Sequence, residues 1–173
     1  RHLLSNLLMK DLKLKYQRSL LGFAWSLLNP LLMILVYTLA FTYVLRVQTP
    51  RFVFFILIGL LAWTFFGSAV SSATDAVTGS GSFLKSVVFP RVVLPLSTVL
   101  FALAQYLLTI VVFLPLMLVI YQVPIEPRML LFPVFLALQV LFIAGIALAL
   151  STATAVFRDV KHLVEVGLGI GFW

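Results

Sequence analysis

The sequence predicts an all-α integral membrane protein: a polytopic helical bundle with an N-terminal amphipathic interfacial helix, four complete spanning helices and the start of a fifth. Three observations predict it. Hydrophobic residues fill 63% of the 173 positions, and the mean hydropathy is +1.19. Charged residues fill 10%, against about 25% in a soluble domain. The apolar residues also form long uninterrupted runs rather than alternating with polar ones, and a helix needs about 20 such residues to cross the hydrocarbon core.

Residues 1–26 do not read as a span. Leu4, Leu8, Leu12, Tyr16 and Leu20 recur every four positions, with Leu3 and Leu7 beside them, while His2, Asn6, Lys10, Lys13 and Gln17 fall on another face. That is an amphipathic helix suited to the membrane surface. Asp11, Lys15 and Arg18 intrude on its apolar side, and Asp11 and Lys15 have the spacing of an ion pair. The segment is either a surface anchor alone or an anchor that also touches a cytoplasmic partner.

The first span is expected at 27–45. Its opening carries Asn29-Pro30 inside an otherwise apolar stretch. Asn caps helix N-termini well and Pro suits the first helical position, so the pair is expected to break the incoming surface helix and start the span. Trp25 stands just before it, where an amphipathic ring favours the interface. The alternative is a proline kink within one continuous helix. Further spans are expected at 52–74, 92–121 and 130–156. The last two exceed the bilayer thickness and must tilt or project. The apolar stretch at 163–173 is too short to cross, so residues 1–173 read as a single, C-terminally incomplete domain.

Nine of the twelve Lys and Arg residues lie on one side: Arg1, Lys10, Lys13, Lys15, Arg18, Lys85, Arg91, Arg158 and Lys161. Arg46, Arg51 and Arg128 lie on the other. Positive charge marks the cytoplasmic face, which places the N-terminus and the loop 75–91 there. The net charge of +7 flanks apolar runs, so its partner is the membrane lipid surface and not nucleic acid.

The chemistry is sparse. The absence of cysteine excludes disulfides, thiolate metal ligands and thiol nucleophiles. No span carries Asp, Glu, Lys, Arg or His in its middle. Ion-coupled transporters usually hold such groups at membrane depth, so any work is driven from outside these spans. His162 and Glu165 share a helical face but lack a third ligand for a metal. The stretch TGSGS at 78–82 lacks the Gly-Lys-Ser/Thr of a phosphate loop, so no ATP is expected on this chain. Neither a catalytic residue nor a cofactor site is expected. Gln105, Gln139 and scattered Ser and Thr residues are read as packing and interhelical hydrogen-bonding groups. Tyr37, Tyr43, Trp63 and Tyr106 combine a flat face with a polar tip, which makes them the candidates for lining a path.

The loop DAVTGSGSFLKSVVFPRVVLP, residues 75–95, is the most informative segment. A Gly/Ser stretch precedes clustered Phe83, Leu84, Val87, Val88 and Phe89, with Lys85 and Arg91 among them and Pro90 and Pro95 at the entry to the next span. A short amphipathic helix here either presents an apolar knob to a cytoplasmic partner or lies flat on lipid.

Three stretches resemble one family. LKLKYQRSLLGFAWSLLNPLLMILVYTLAF (12–41), GSFLKSVVFPRVVLPLS (81–97) and FRDVKHLVEVGL (157–168) are similar to permease subunits of type-2 ABC exporters. The nearest branch exports bacterial polysaccharides such as O-antigen, capsule and teichoic acid. The resemblance implies six spanning helices, a homodimer with its conduit at the dimer interface, and two copies of a separate ATP-binding subunit that carries ATP and Mg. It implies a coupling helix docked on that subunit through Phe83, Leu84, Lys85, Val88, Phe89, Pro90 and Arg91, with Lys13, Lys15, Tyr16 and Arg18 nearby. The implied substrate is a lipid-linked glycan, and the implied location is the bacterial inner membrane. Export of a drug or lipid by the same class is the alternative substrate reading. A motor-less channel or scaffold also fits the lack of intramembrane charge, and a membrane glycosyltransferase would need a converging polar site that the spans lack. One departure from the family is the alternation of Gly167, Gly169 and Gly171, which is expected to loosen or bend the fifth helix because glycine costs about 1 kcal/mol in a helix.

Overall fold

The structure, a computed structural model, describes residues 24–46, 52–78, 92–122, 126–157 and 159–172. The described residues are almost entirely helical, with no strand among them. Helix α1 spans Ala24–Leu39 and passes into a π-helical turn, Ala40–Val44. Helix α2 spans Phe52–Thr78, α3 Val93–Tyr121, α4 Phe132–Val156 and α5 Val160–Phe172. A 3-10 turn, Pro127–Leu131, leads into α4. Three stretches are long and apolar enough to cross a membrane: Phe54–Ala76, Val93–Pro115 and Pro127–Val156. The first apolar helix, Leu31–Val44, is shorter. Four complete spans were expected; three of the described helices have the length. The surface helix of residues 1–26 lies outside the described residues up to residue 23.

The sequence explains where most of these helices end. At the end of α3, Gln122 turns to the left-handed conformation with φ 47°, a common stop that frees the chain to reverse. Pro127 sits at the start of the 3-10 turn and Pro133 in the first turn of α4, where a missing N–H costs nothing. Phe157 is extended and ends α4. Pro115 lies inside α3, tolerated in an apolar helix whose neighbours shield the freed carbonyl.

Two expectations are corrected. Helix α1 runs without interruption through Asn29 and Pro30, so the pair does not start the first helix, and Trp25 lies within α1 rather than ahead of it. A proline removes one backbone donor and one hydrogen bond, a loss that a helix of apolar residues in lipid survives. Helix α5 likewise continues through Gly167, Gly169 and Gly171. In an apolar setting the backbone must satisfy its own hydrogen bonds, which outweighs the weak propensity of glycine.

Helix α2 is the hub. Its buried face carries Leu57, Leu61, Phe65, Ala69, Val70 and Ala73, which meet Val99, Ala102, Tyr106, Ile110 and Phe113 of α3 and Ile143 and Ala147 of α4. Ring contacts fix the directions. Phe54 faces Phe113 at 6.5 Å, and Phe65 faces Tyr106 at 5.0 Å, so α2 and α3 are antiparallel. Phe66 faces Phe142 at 6.2 Å, and Gln139 Nε2 donates to the Ala62 carbonyl at 3.0 Å, so α2 and α4 run parallel. That is the alternation expected of successive crossings. Buried hydroxyls satisfy themselves locally: Ser97 donates to the Leu94 carbonyl at 2.7 Å and Thr154 to the Leu150 carbonyl at 2.7 Å. Gln139, whose amide is too long to fold back so simply, makes the bond between helices that its residue type promised.

Candidate functional site

An aromatic cleft of about 720 Å³ opens beside the hub, between α1, α2 and α5. Its walls hold Tyr37 and Phe41 from the first helix and its π-helical turn, Phe54, Phe55 and Trp63 from α2, and Phe172 from α5. The spacing follows from helix geometry. Phe55, Gly59 and Trp63 recur every four residues, so one stripe of α2 faces the cleft. Gly59 has no atom within 4 Å of where a Cβ would stand, and that missing side chain widens the floor. The π-helical turn adds a residue to the local ring of hydrogen bonds and changes which face follows it.

The rings are mutually ordered. Tyr37 stacks on Phe41 at 6.2 Å and 15°, and Phe41 meets Phe52 edge-on at 5.5 Å. Trp63 lies 5.4 Å from Phe66 and 6.3 Å from Phe172. Offset and edge contacts of this kind add about 0.5–1.5 kcal/mol each beyond area burial. The lining is therefore stiff. It is aromatic and aliphatic, with Tyr37 and Trp63 as its residues that carry a polar tip and no charged residue among them.

Of the four residues expected to line a path, Tyr37 and Trp63 are brought together in this cleft. Tyr43 is 71% exposed on the π-helical turn and does not line it. Tyr106 is a correction: it is 5% exposed and stacked on Phe65 in the core, which removes it from any surface lining. A tyrosine has the same type whether its ring packs inward or outward, so its sequence could not tell. Lys13, Lys15, Tyr16, Arg18, Phe83, Leu84, Lys85, Val88, Phe89, Pro90 and Arg91 lie outside the described residues.

The polar groups at the bundle ends do no evident chemistry. Among the described residues no cluster of three metal-ligating side chains occurs. His162 Nδ1 and Glu165 Oε2 stand 3.5 Å apart on α5. Lys161 Nζ donates to Asp75 Oδ2 at 2.8 Å, joining α5 to the end of α2. Each residue of this pair was visible in the sequence at a membrane boundary; their pairing was not, since 86 positions separate them.

Comparison with known proteins bears on what such a bundle does. The sequence profile of the family described as "ABC-2 type transporter" matches residues 2–173. A Myxococcus xanthus protein named "O-antigen export system permease protein RfbA" is 38% identical over 176 aligned residues, which cover 100% of this chain and 66% of the relative. A Klebsiella pneumoniae protein of the same name is 34% identical over 164 residues, covering 95% of this chain and 63% of the relative. The chain thus spans just under two thirds of the length of the curated relatives it matches.

Proposed function

The chain belongs to the ABC-2 type transporter family, and from that premise we propose that it is the membrane subunit of an ATP-driven exporter moving a lipid-linked polysaccharide across the bacterial inner membrane. One observation carries the reading: similarity over at least 95% of the chain to relatives named as O-antigen export permeases. In this reading the chain has no catalytic site. ATP and Mg are held by two copies of a separate subunit, and two copies of this chain enclose the conduit. The N-terminus faces the cytoplasm. The coupling loop, expected at 75–91, follows α2 and so begins after Thr78, and its apolar cluster around Phe89 docks on the ATPase. Four spans precede the fifth, which begins in α5, and a sixth follows.

The physical features support it. Among the described residues the Asp, Glu, Lys, Arg and His side chains lie at or near helix ends, which supports a drive from outside these spans rather than from an ion held at membrane depth. Energy must then arrive mechanically, by nucleotide-driven movement that shifts the helices between two arrangements. The cleft offers flat aromatic faces, to which sugar rings bind through their apolar faces without demanding one sequence of hydroxyls.

Affinity purification of the full-length tagged protein, expressed with its native operon and extracted gently, tests the reading. An equimolar ATP-binding protein is expected, and Phe89→Asp is expected to release it and stop surface polysaccharide from appearing while membrane abundance holds. A homo-oligomer with no ATP-binding partner would overturn the exporter and favour a motor-less channel.

A further inference from the structure

We propose that Asp75 and Lys161 are positioning residues that tie the end of α2 to α5, so that movement of the loop after α2 is delivered to α5. The inference rests on the exporter reading for its functional half and on geometry alone for the tie.

The geometry is specific. Asp75 lies in the last turn of α2 (Phe52–Thr78), directly ahead of the segment proposed to couple to the ATPase. Lys161 is the second residue of α5 (Val160–Phe172). Their contact is 2.8 Å, with side chains 51% and 38% exposed. The other end of α5 rests on α2 as well, where Phe172 meets Trp63 at 6.3 Å and Gly171 lets the backbone approach the indole. The two attachments are in register. From Trp63 to Asp75 is twelve residues of α2, about 18 Å, and from Lys161 to Phe172 is eleven residues of α5, about 16–17 Å. Lys161, Val164, Leu168 and Phe172 form one helical stripe, and Val164 and Leu168 pack against the core. The opposite face, with Leu163, Val166 and Ile170, is exposed. Helix α5 is therefore held along a single stripe, and its first turn is fixed to α2 by the ion pair.

The charged neighbours agree. Glu165 stands one turn beyond Lys161 and is engaged by His162 at 3.5 Å. The hydrogen bond to Asp75, then the Asp75 charge, raise the Lys161 ammonium above its ordinary value, with Glu165 adding to the rise. A half-exposed pair adds little to overall stability. Its consequence is positional: it joins the last turn of α2 to the first turn of α5.

The test uses the full-length protein with its ATP-binding partner. Residues 1–173 hold no cysteine; with any cysteine elsewhere in the full-length protein replaced, spin labels at Ser72→Cys and Val166→Cys, both exposed positions, report the α2–α5 spacing. Asp75→Lys and Lys161→Asp, each alone, are expected to broaden that spacing and cut surface polysaccharide several-fold in cells at equal membrane abundance. ATP hydrolysis by the purified complex is expected to persist. The exchanged double variant, Asp75→Lys with Lys161→Asp, is expected to restore both readouts. Unchanged spacing in the single variants, full export by them, or failure of the exchange to restore either readout overturns the proposal. If the unaltered protein has no ATP-binding partner, the exporter reading falls by that result, and broadened spacing in Lys161→Asp still upholds the tie.

Discussion

At Gly171 the backbone of α5 stands close against the Trp63 ring of α2. A Cβ built there would stand 2.9 Å from Cη2 and 3.6 Å from Cζ2 of Trp63. Alanine gains about 1 kcal/mol over glycine as a helix former, but forcing atoms into a filled space costs about 1–3 kcal/mol. Gly171→Ala is therefore expected to be neutral to moderately destabilising and to displace the indole into the cleft. Tryptophan fluorescence checks this in a background where Trp25→Phe, Trp173→Phe and replacement of any tryptophan beyond residue 173 leave Trp63 as the reporter. An unshifted spectrum with raised stability would mean that the helices stand further apart than described. Gly167 and Gly169 supply the contrast. Nothing lies within 4 Å of a Cβ at either, so Gly167→Ala and Gly169→Ala are each expected to raise thermal stability in detergent, by up to about 1 kcal/mol. The three alternating glycines, alike in sequence, thus divide into one needed for close approach and two that are not.

Helix α4 divides the same way between its faces. Ile143 is fully buried against α2 and α3, while Leu138 is 58% exposed. Ile143→Ala is expected to lower unfolding free energy by about 2 kcal/mol or more, because the cavity forfeits dispersion contacts that neighbours cannot recover. Leu138→Ala is expected to change it by less than about 0.5 kcal/mol, since lipid fills the space. Equal effects in a denaturant titration would show that α4 is turned differently about its axis. This rotation is also what the sequence could not reveal. The existence of α2, α3 and α4 was legible from length and hydropathy, although α2 runs on to Thr78, past its expected end at 74. Their facing was not, because core and lipid are both apolar and leave no amphipathic pattern to read; hence Tyr106 looked equal to Tyr37. Gln139 was legible because an amide in hydrocarbon must find a partner wherever it points. The Asp75–Lys161 pair was not, because nothing local records a contact across 86 positions. Its pH response follows from the raised Lys161 value. A cation held above its ordinary value of 10.5 contributes fully below that value and loses its contribution as pH rises through the raised one. The label spacing between α2 and α5 is therefore expected to stay constant from neutral pH to about pH 9 and to broaden only above about pH 10.5.

At the scale of the molecule, charge divides the bundle into two ends. Arg46, Glu126 and Arg128 lie at one, and Asp75, Asp159, Lys161, His162 and Glu165 at the other. A charge left at the bilayer centre costs about 2.5–3.5 kcal/mol even on insertion scales, so each end is held in its own water layer. The proposed orientation, with the Asp75–Lys161 end in the cytoplasm, rests on the excess of Lys and Arg in the flanks that adjoin that end. Residues 1–173 hold no cysteine, so once any cysteine elsewhere in the full-length protein is replaced, single cysteines and a membrane-impermeant maleimide measure this. In intact spheroplasts, Glu126→Cys is expected to be modified and Asp159→Cys to be protected; permeabilisation is expected to expose Asp159→Cys. Both positions are exposed in the bundle, so protection reports the membrane and not packing. The reverse pattern would turn the molecule over. It would put the coupling loop proposed after Thr78 outside the cell, where no ATP-binding subunit could reach it, and would take the exporter reading down with the orientation. The expected pattern places that loop, the Asp75–Lys161 tie and the start of α5 in one layer on the ATP side. Only there could a push on the loop be delivered to the helix whose far end closes the aromatic cleft.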